Sequence, residues 1–183
     1  LVKATDIPAK TTPQAEAGLI EEARKYKTAE EFVKAQGQPV YRGGLPINKE
    51  LMTERGISVA KEFDDATAFT TSSEKKMPFQ GGEVLNGQKG QVQELYINPS
   101  AKILKMKDVP KELKDYYNKQ DNVMGMEKIA KFARDNGYDV VDYGGFEIRV
   151  LNYDVLQTKA DLISIWNKAQ EGKKSIPKAE VKP

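Results

Sequence analysis

The stretch NGYDVVDYGGFEIRVLN, Asn136 to Asn152, holds two β-rich runs, YDVVDY and FEIRVLN, split by Gly144-Gly145. Alternation within the second run puts Glu147, Arg149 and Leu151 on one face and Ile148 and Val150 on the other. A carboxylate at the start of a core strand, just after a Gly-Gly loop, is held rigidly by the strand while the loop admits a substrate. The plainer reading of the same pattern is a solvated face carrying Glu147 and Arg149. Upstream, MGMEKIAKFARDN (Met124 to Asn136) has the helical period, with Ile129, Ala130, Phe132 and Ala133 inward and Gly137 as C-cap. Downstream, Thr158 or Asp161 caps a last helix through Gln170 that carries the only tryptophan, Trp166.

Further outward the same grammar repeats. Pro110 opens a helix at its first position, and QVQELYIN (Gln91 to Asn98) alternates as a strand, followed by a short strand at Ile103 and Leu104. VYRGG follows Pro39 as a strand ending in a double glycine, Asn48 to Glu54 has one or two helical turns, and Ile57-Ser58-Val59 is a short strand. Glu62 to Phe69 is predicted as a helix with Phe63 and Phe69 inward. Thr70 to Gly90 has no period and reads as a long mobile loop, a feature that in compact domains is usually functional or disordered. At the start, Leu1 to Pro13 is an extended lead-in. Ala15 to Tyr26 is a helix, and Thr28 with Glu31 forms a capping box before Phe32 and Val33, giving a helical hairpin ended by Gly37. The expected division is 1–37 for this extension and hairpin, 38–170 for the main domain and 171–183 for a flexible Lys-rich tail. The element order implies an α+β protein.

Composition narrows the chemistry. The 183 residues suit one compact domain, and 39% hydrophobic residues with eight Tyr and six Phe supply a core. With Lys plus Arg at 29 and Asp plus Glu at 27, the net charge of +2 excludes a dominant basic nucleic-acid arm, so nucleic acid is not an expected partner. The chain has no Cys and no His, which removes thiol nucleophiles, disulfides, His general bases, Ser-His-Asp triads and the usual zinc and haem ligands. No metal is expected; carboxylates, hydroxyls, Arg and Lys remain. There is no run of about 18 apolar residues and no apolar signal core, so a membrane location is not expected. The start at Leu1 without methionine and the Lys/Pro-rich end suggest excision from a longer polypeptide.

Arg42, beside Gly43 and Gly44 at a strand end, suits a pyrophosphate clamp, because a guanidinium offers a fixed fork of donors and glycines let a ligand approach the backbone. A surface Arg before a turn is the bland alternative. Ser58 is a hydroxyl on a strand, and Glu147 has been described.

VYRGG, GISV sixteen residues after the Arg, GQVQELYINPSAKILKM, RDNGYDVVDYGG and FEIRVLN with NYDVL, in this order, resemble the ADP-ribosyltransferase fold, in the form found in phage virion proteins and bacterial polymorphic toxins. The resemblance spans Pro39 to Trp166. It implies a two-sheet, split β core, with Arg42, Ser58 and Glu147 lining an NAD cleft. Arg42 would hold the NAD phosphates, Gly43 the nicotinamide carboxamide through its backbone, and Ser58 would brace the ribose and the glutamate. Glu147 would bind the nicotinamide-ribose 2′-hydroxyl and stabilise charge developing at C1′. Tyr41, Phe69, Phe79 and Phe146 are candidate ring-stacking neighbours, with a partly core role the alternative for Tyr41 and Phe69, and Gly145 with Phe146 would meet a protein acceptor. The sequence departs from the family at Val59-Ala60, where a Ser-Thr-Ser triplet is reduced to Ser58. The competing triplet is Thr70-Thr71-Ser72-Ser73; Ser58 is preferred because the helix ending at Phe69 should follow the serine strand. At Gly145 arginine-modifying members carry a second glutamate, so arginine is not supported as the modified residue, unless Asp142 folds back to substitute.

The resemblance implies mono-ADP-ribosyl transfer from NAD to a macromolecular acceptor, expected to be a host protein, by a monomer in a phage virion and then the host cytoplasm, or by a secreted effector delivered to a target cytoplasm. The alternatives are a non-catalytic virion module of the same fold and an NAD glycohydrolase.

Overall fold

The protein is described by a computed structural model over residues 13–44, 47, 49–67, 91–119, 122–145 and 147–174. These residues form six helices and seven strands. In chain order they are α1 (Pro13–Ala23), α2 (Ala29–Ala35), β1 (Val40–Gly44), β2 (Ile57–Ala60), α3 (Phe63–Thr67), β3 (Gln91–Ile97), β4 (Ile103–Lys105), α4 (Lys111–Lys119), α5 (Asn122–Asp135), β5 (Val140–Asp142), β6 (Glu147–Val150), β7 (Leu156–Thr158) and α6 (Lys159–Lys174). The Leu1–Pro13 lead-in up to residue 12, the Thr70–Gly90 loop and the tail beyond residue 174 lie outside the described residues. Helix α6 runs on past Gln170 into the stretch expected as tail.

One mixed sheet, ordered β4-β5-β6-β2-β1-β3-β7, forms the centre. Only β4 and β5 run parallel, and a parallel neighbour requires a crossover, which α4 and α5 supply. The ladder is uneven. Strand β1 pairs with β3 over five positions and β2 with β6 over four, but β1 meets β2 at a single pair, Tyr41 with Ala60. Beyond that pair the ladder lapses, leaving a seam between a four-strand half and a three-strand half. The expectation of two sheets is therefore corrected to one continuous series with a weak joint, because Tyr41 and Ala60 still bridge the halves.

Alternation sorts the core onto two faces. Val40, Ile57, Val59, Leu95 and Val150 point to one side and are covered by Tyr153 and Val155. On the other side, Tyr96 packs under α1, α2 and α6 around Phe32 and Leu162. At the far end Val141 and Leu104 pack under α5 at Ile129 and Ala133. Ile129, Ala130 and Ala133 are fully buried, as the 3.6-residue stripe requires, while Phe132 is half-buried. The hairpin is tied to α6 by the Trp166 indole N–H, which donates to the Tyr26 carbonyl at 3.3 Å.

The caps follow the sequence closely. Thr28 Oγ1 accepts from Glu31 N at 3.1 Å, while the Glu31 carboxylate accepts from Lys27 N, one residue beyond the N-cap N–H that a standard capping box uses. At α6 the two candidates act together: Thr158 Oγ1 accepts from Asp161 N, and Asp161 Oδ2 accepts from Thr158 N at 3.0 Å. The chain enters β2 through Gly56 at φ +80°, where a Cβ would strike the Val150 carbonyl and lie 2.8 Å from Leu151 Cδ2. Phe63, expected inward, is 53% exposed and meets Tyr41 edge-on at 5.7 Å. It is the first residue of a helix only five residues long, so it sits at the rim rather than beneath a full turn.

Candidate active site

Three of the residues singled out by sequence lie on the strands flanking the seam. Arg42 is on β1, Ser58 on β2 and Glu147 on β6, which pairs with β2. Arg42 is 6% exposed, and its Nη1 donates to the Ser58 carbonyl at 3.0 Å. In an unbroken ladder a carbonyl on this edge meets a backbone N–H; where the pairing lapses, a guanidinium serves it. Burial first, and the like charge of Arg149 second, lower the Arg42 pKa from its ordinary value.

Ser58 faces Arg149 across the β2–β6 ladder and lies one diagonal step from Glu147. Ser58 Oγ donates to Glu147 Oε1 at 3.1 Å. Arg149 Nε and Nη2 each reach the same oxygen at 2.7 Å. The side chains of Glu147 and Arg149 are 19% and 10% exposed, so the face read as solvated is instead largely buried. Sequence alternation aligned Glu147 with Arg149 but did not reveal their cover. Tyr143 and Tyr117, whose rings lie 5.8 Å apart, pack on the neighbouring cluster of Val141 and Leu151. The pKa of both phenols is raised: burial is the main cause, and the Glu147 charge pushes in the same direction. Tyr117 is held there by close helix packing, since a Cβ on Gly125 of α5 would come within 2.7 Å of its Cα. An Arg and a Glu at i and i+2 on one strand were the legible signal; the tyrosines carried none.

Asp142 is held at the end of β5 by Lys61 and the turn that follows. Both its carboxylate oxygens take Lys61 Nζ, at 2.9 and 3.2 Å, and Oδ1 also accepts from Gly144 N at 2.9 Å. Burial raises its pKa, but the Lys61 bond, the Gly144 N–H and the charges of Lys61 and Lys105 outweigh it, and the net direction is down. The turn into β6 is thereby fixed, with Gly144 and Gly145 at φ +82° and +55°, both exposed.

Gly43 is buried on β1 opposite Val92, and Tyr41 is half-buried against Phe63. Phe69, Phe79, Phe146 and the competing Thr70-Thr71-Ser72-Ser73 triplet lie outside the described residues. A separate cavity of about 440 Å³, lined by Val33, Lys34, Tyr96 and Lys159 among others, shares no residue with the Glu147 cluster. Among the described residues no helix is long and apolar enough to cross a membrane.

The sequence matches no family model, and neither the curated proteins nor the solved structures provide a match to this chain.

Proposed function

We propose that this chain is a mono-ADP-ribosyltransferase that moves ADP-ribose from NAD to a macromolecular acceptor and releases nicotinamide. The observation that supports this most is the Ser58–Glu147 hydrogen bond of 3.1 Å beside the Arg42–Ser58 contact. Two contacts thus link three residues spread over more than a hundred positions of sequence at one weak joint of the sheet, Arg42 through the Ser58 backbone and Glu147 through the Ser58 side chain. Arg149 is paired with Glu147, and the Arg42 guanidinium supplies the positive charge at this joint that suits an anionic dinucleotide.

In this reading Arg42 turns from the Ser58 carbonyl to the NAD phosphates, where its fork of donors meets phosphate oxygens. Glu147 accepts a hydrogen bond from the nicotinamide-ribose 2′-hydroxyl. As the C1′–nitrogen bond lengthens, the bonding pair leaves with nicotinamide and positive charge spreads over C1′ and the ring oxygen. A carboxylate already fixed in place stabilises that charge more than it stabilises the ground state. The acceptor nucleophile then bonds to C1′ and its proton passes to water. No histidine is needed for any of these steps.

The test is incubation of the full chain and its Glu147→Gln variant with NAD labelled on the adenylate and a mixture of acceptor proteins. The expected outcome is nicotinamide release with protein-bound label, both reduced about 10²–10³-fold in the variant. Free ADP-ribose without protein adducts would replace transfer with glycohydrolysis. No NAD turnover by the folded wild type would leave a structural module of the virion type.

A further inference from the structure

An Arg–carboxylate pair that serves structure alone gains most from a bidentate fork, two parallel bonds to two oxygens. The pair on β6 departs from that arrangement. Both Arg149 donors, Nε and Nη2, converge on Glu147 Oε1 at 2.7 Å, and Ser58 Oγ adds a third bond to the same atom at 3.1 Å. Oε2 takes no bond from any described residue. Arg149 is itself 8% exposed and lies on the strand directly opposite Ser58, so its position is set by the ladder.

From this geometry we infer that Arg149 is a positioning residue for Glu147: together with Ser58 it saturates Oε1, fixes the carboxylate rotamer and leaves Oε2 open to the substrate. The inference rests on the transferase reading above and assigns Arg149 no contact with NAD. A glutamate has three rotatable bonds, and one hydrogen bond leaves its carboxylate free to pivot. Three donors from two adjacent strands remove that pivot before substrate arrives, which is the preorganisation a developing cation needs.

Steady-state nicotinamide release by the full chain tests the inference, comparing wild type with Arg149→Gln and Arg149→Lys and checking the fold of each by circular dichroism. Arg149→Gln is expected to lower kcat about 10- to 100-fold, the range seen when groups that orient a catalytic ligand are removed, with the KM for NAD changed by less than about threefold. Arg149→Lys keeps the charge but lacks the fork, and is expected to fall between the two; it decides the matter if Arg149→Gln does not fold. A fully active Arg149→Gln, or a raised KM at unchanged kcat, would overturn the inference alone. A folded wild type that turns over no NAD would overturn the transferase reading and this inference with it.

Discussion

Replacing Ser58 with alanine removes one hydrogen bond to the Glu147 carboxylate and leaves the two from Arg149. A hydrogen bond to a charged group contributes about 1.5–3 kcal/mol, so nicotinamide release by Ser58→Ala should fall at least about tenfold at unchanged fold. Undiminished release would show that Ser58 does not hold the carboxylate. Asp142 offers a test through pH. Its folded pKa is lowered, so its contribution to stability is complete above the unfolded carboxyl value of about 3.9 and is lost as pH falls through the lower folded value. Asp142→Asn should therefore be less stable than wild type at neutral pH, and the gap should narrow as the wild type is acidified below about pH 4. Urea unfolding at a series of pH values measures this, and a gap independent of pH would show that the Lys61 pair contributes nothing.

At the scale of elements, the turn into β2 is the most exposed to a single change. Gly56→Ala meets both a left-handed backbone at φ +80° and the Val150 carbonyl, and strain of this kind costs about 1–3 kcal/mol. Denaturant unfolding should show that loss, and an unchanged midpoint would mean the β2–β6 approach is looser than described. The elements legible in the sequence are those whose period is long enough to read. The 14 residues of α5 present a full apolar stripe, and β6 alternates with Ile148 and Val150 against Glu147 and Arg149. Strand β7 was not legible, since three residues, Leu156–Thr158, define no period and its pairing with β3 is set by tertiary packing. The seam was invisible for a related reason: no local pattern in VYRGG or ISVA says that their ladder stops after Tyr41 and Ala60. Glu147 was legible as a candidate, but the tyrosines whose pKa its charge raises come from α4 and from the end of β5, beyond the reach of strand alternation. Arg42 was legible beside its glycines; its bond to a backbone carbonyl depends on the lapsed ladder.

For the whole molecule, the seam joins two halves of the sheet through one backbone pair, so a ligand bridging β1 and β6 should stiffen the entire fold. Binding to the native state alone stabilises by about 2.7 kcal/mol at a ligand concentration a hundred times Kd. NAD should accordingly raise the melting temperature of wild type and of Glu147→Gln alike, while Arg42→Ala should lose most of that rise. An equal rise in Arg42→Ala would place NAD elsewhere, for example in the cavity beside Tyr96. The most direct test of the central claim is to load wild type and Glu147→Gln with NAD, confirm by melting temperature that both bind it, and follow nicotinamide release from each. Binding by both, with release about 10²–10³-fold slower in Glu147→Gln, is the predicted result. Equal release from the two chains, or none from either, would contradict it.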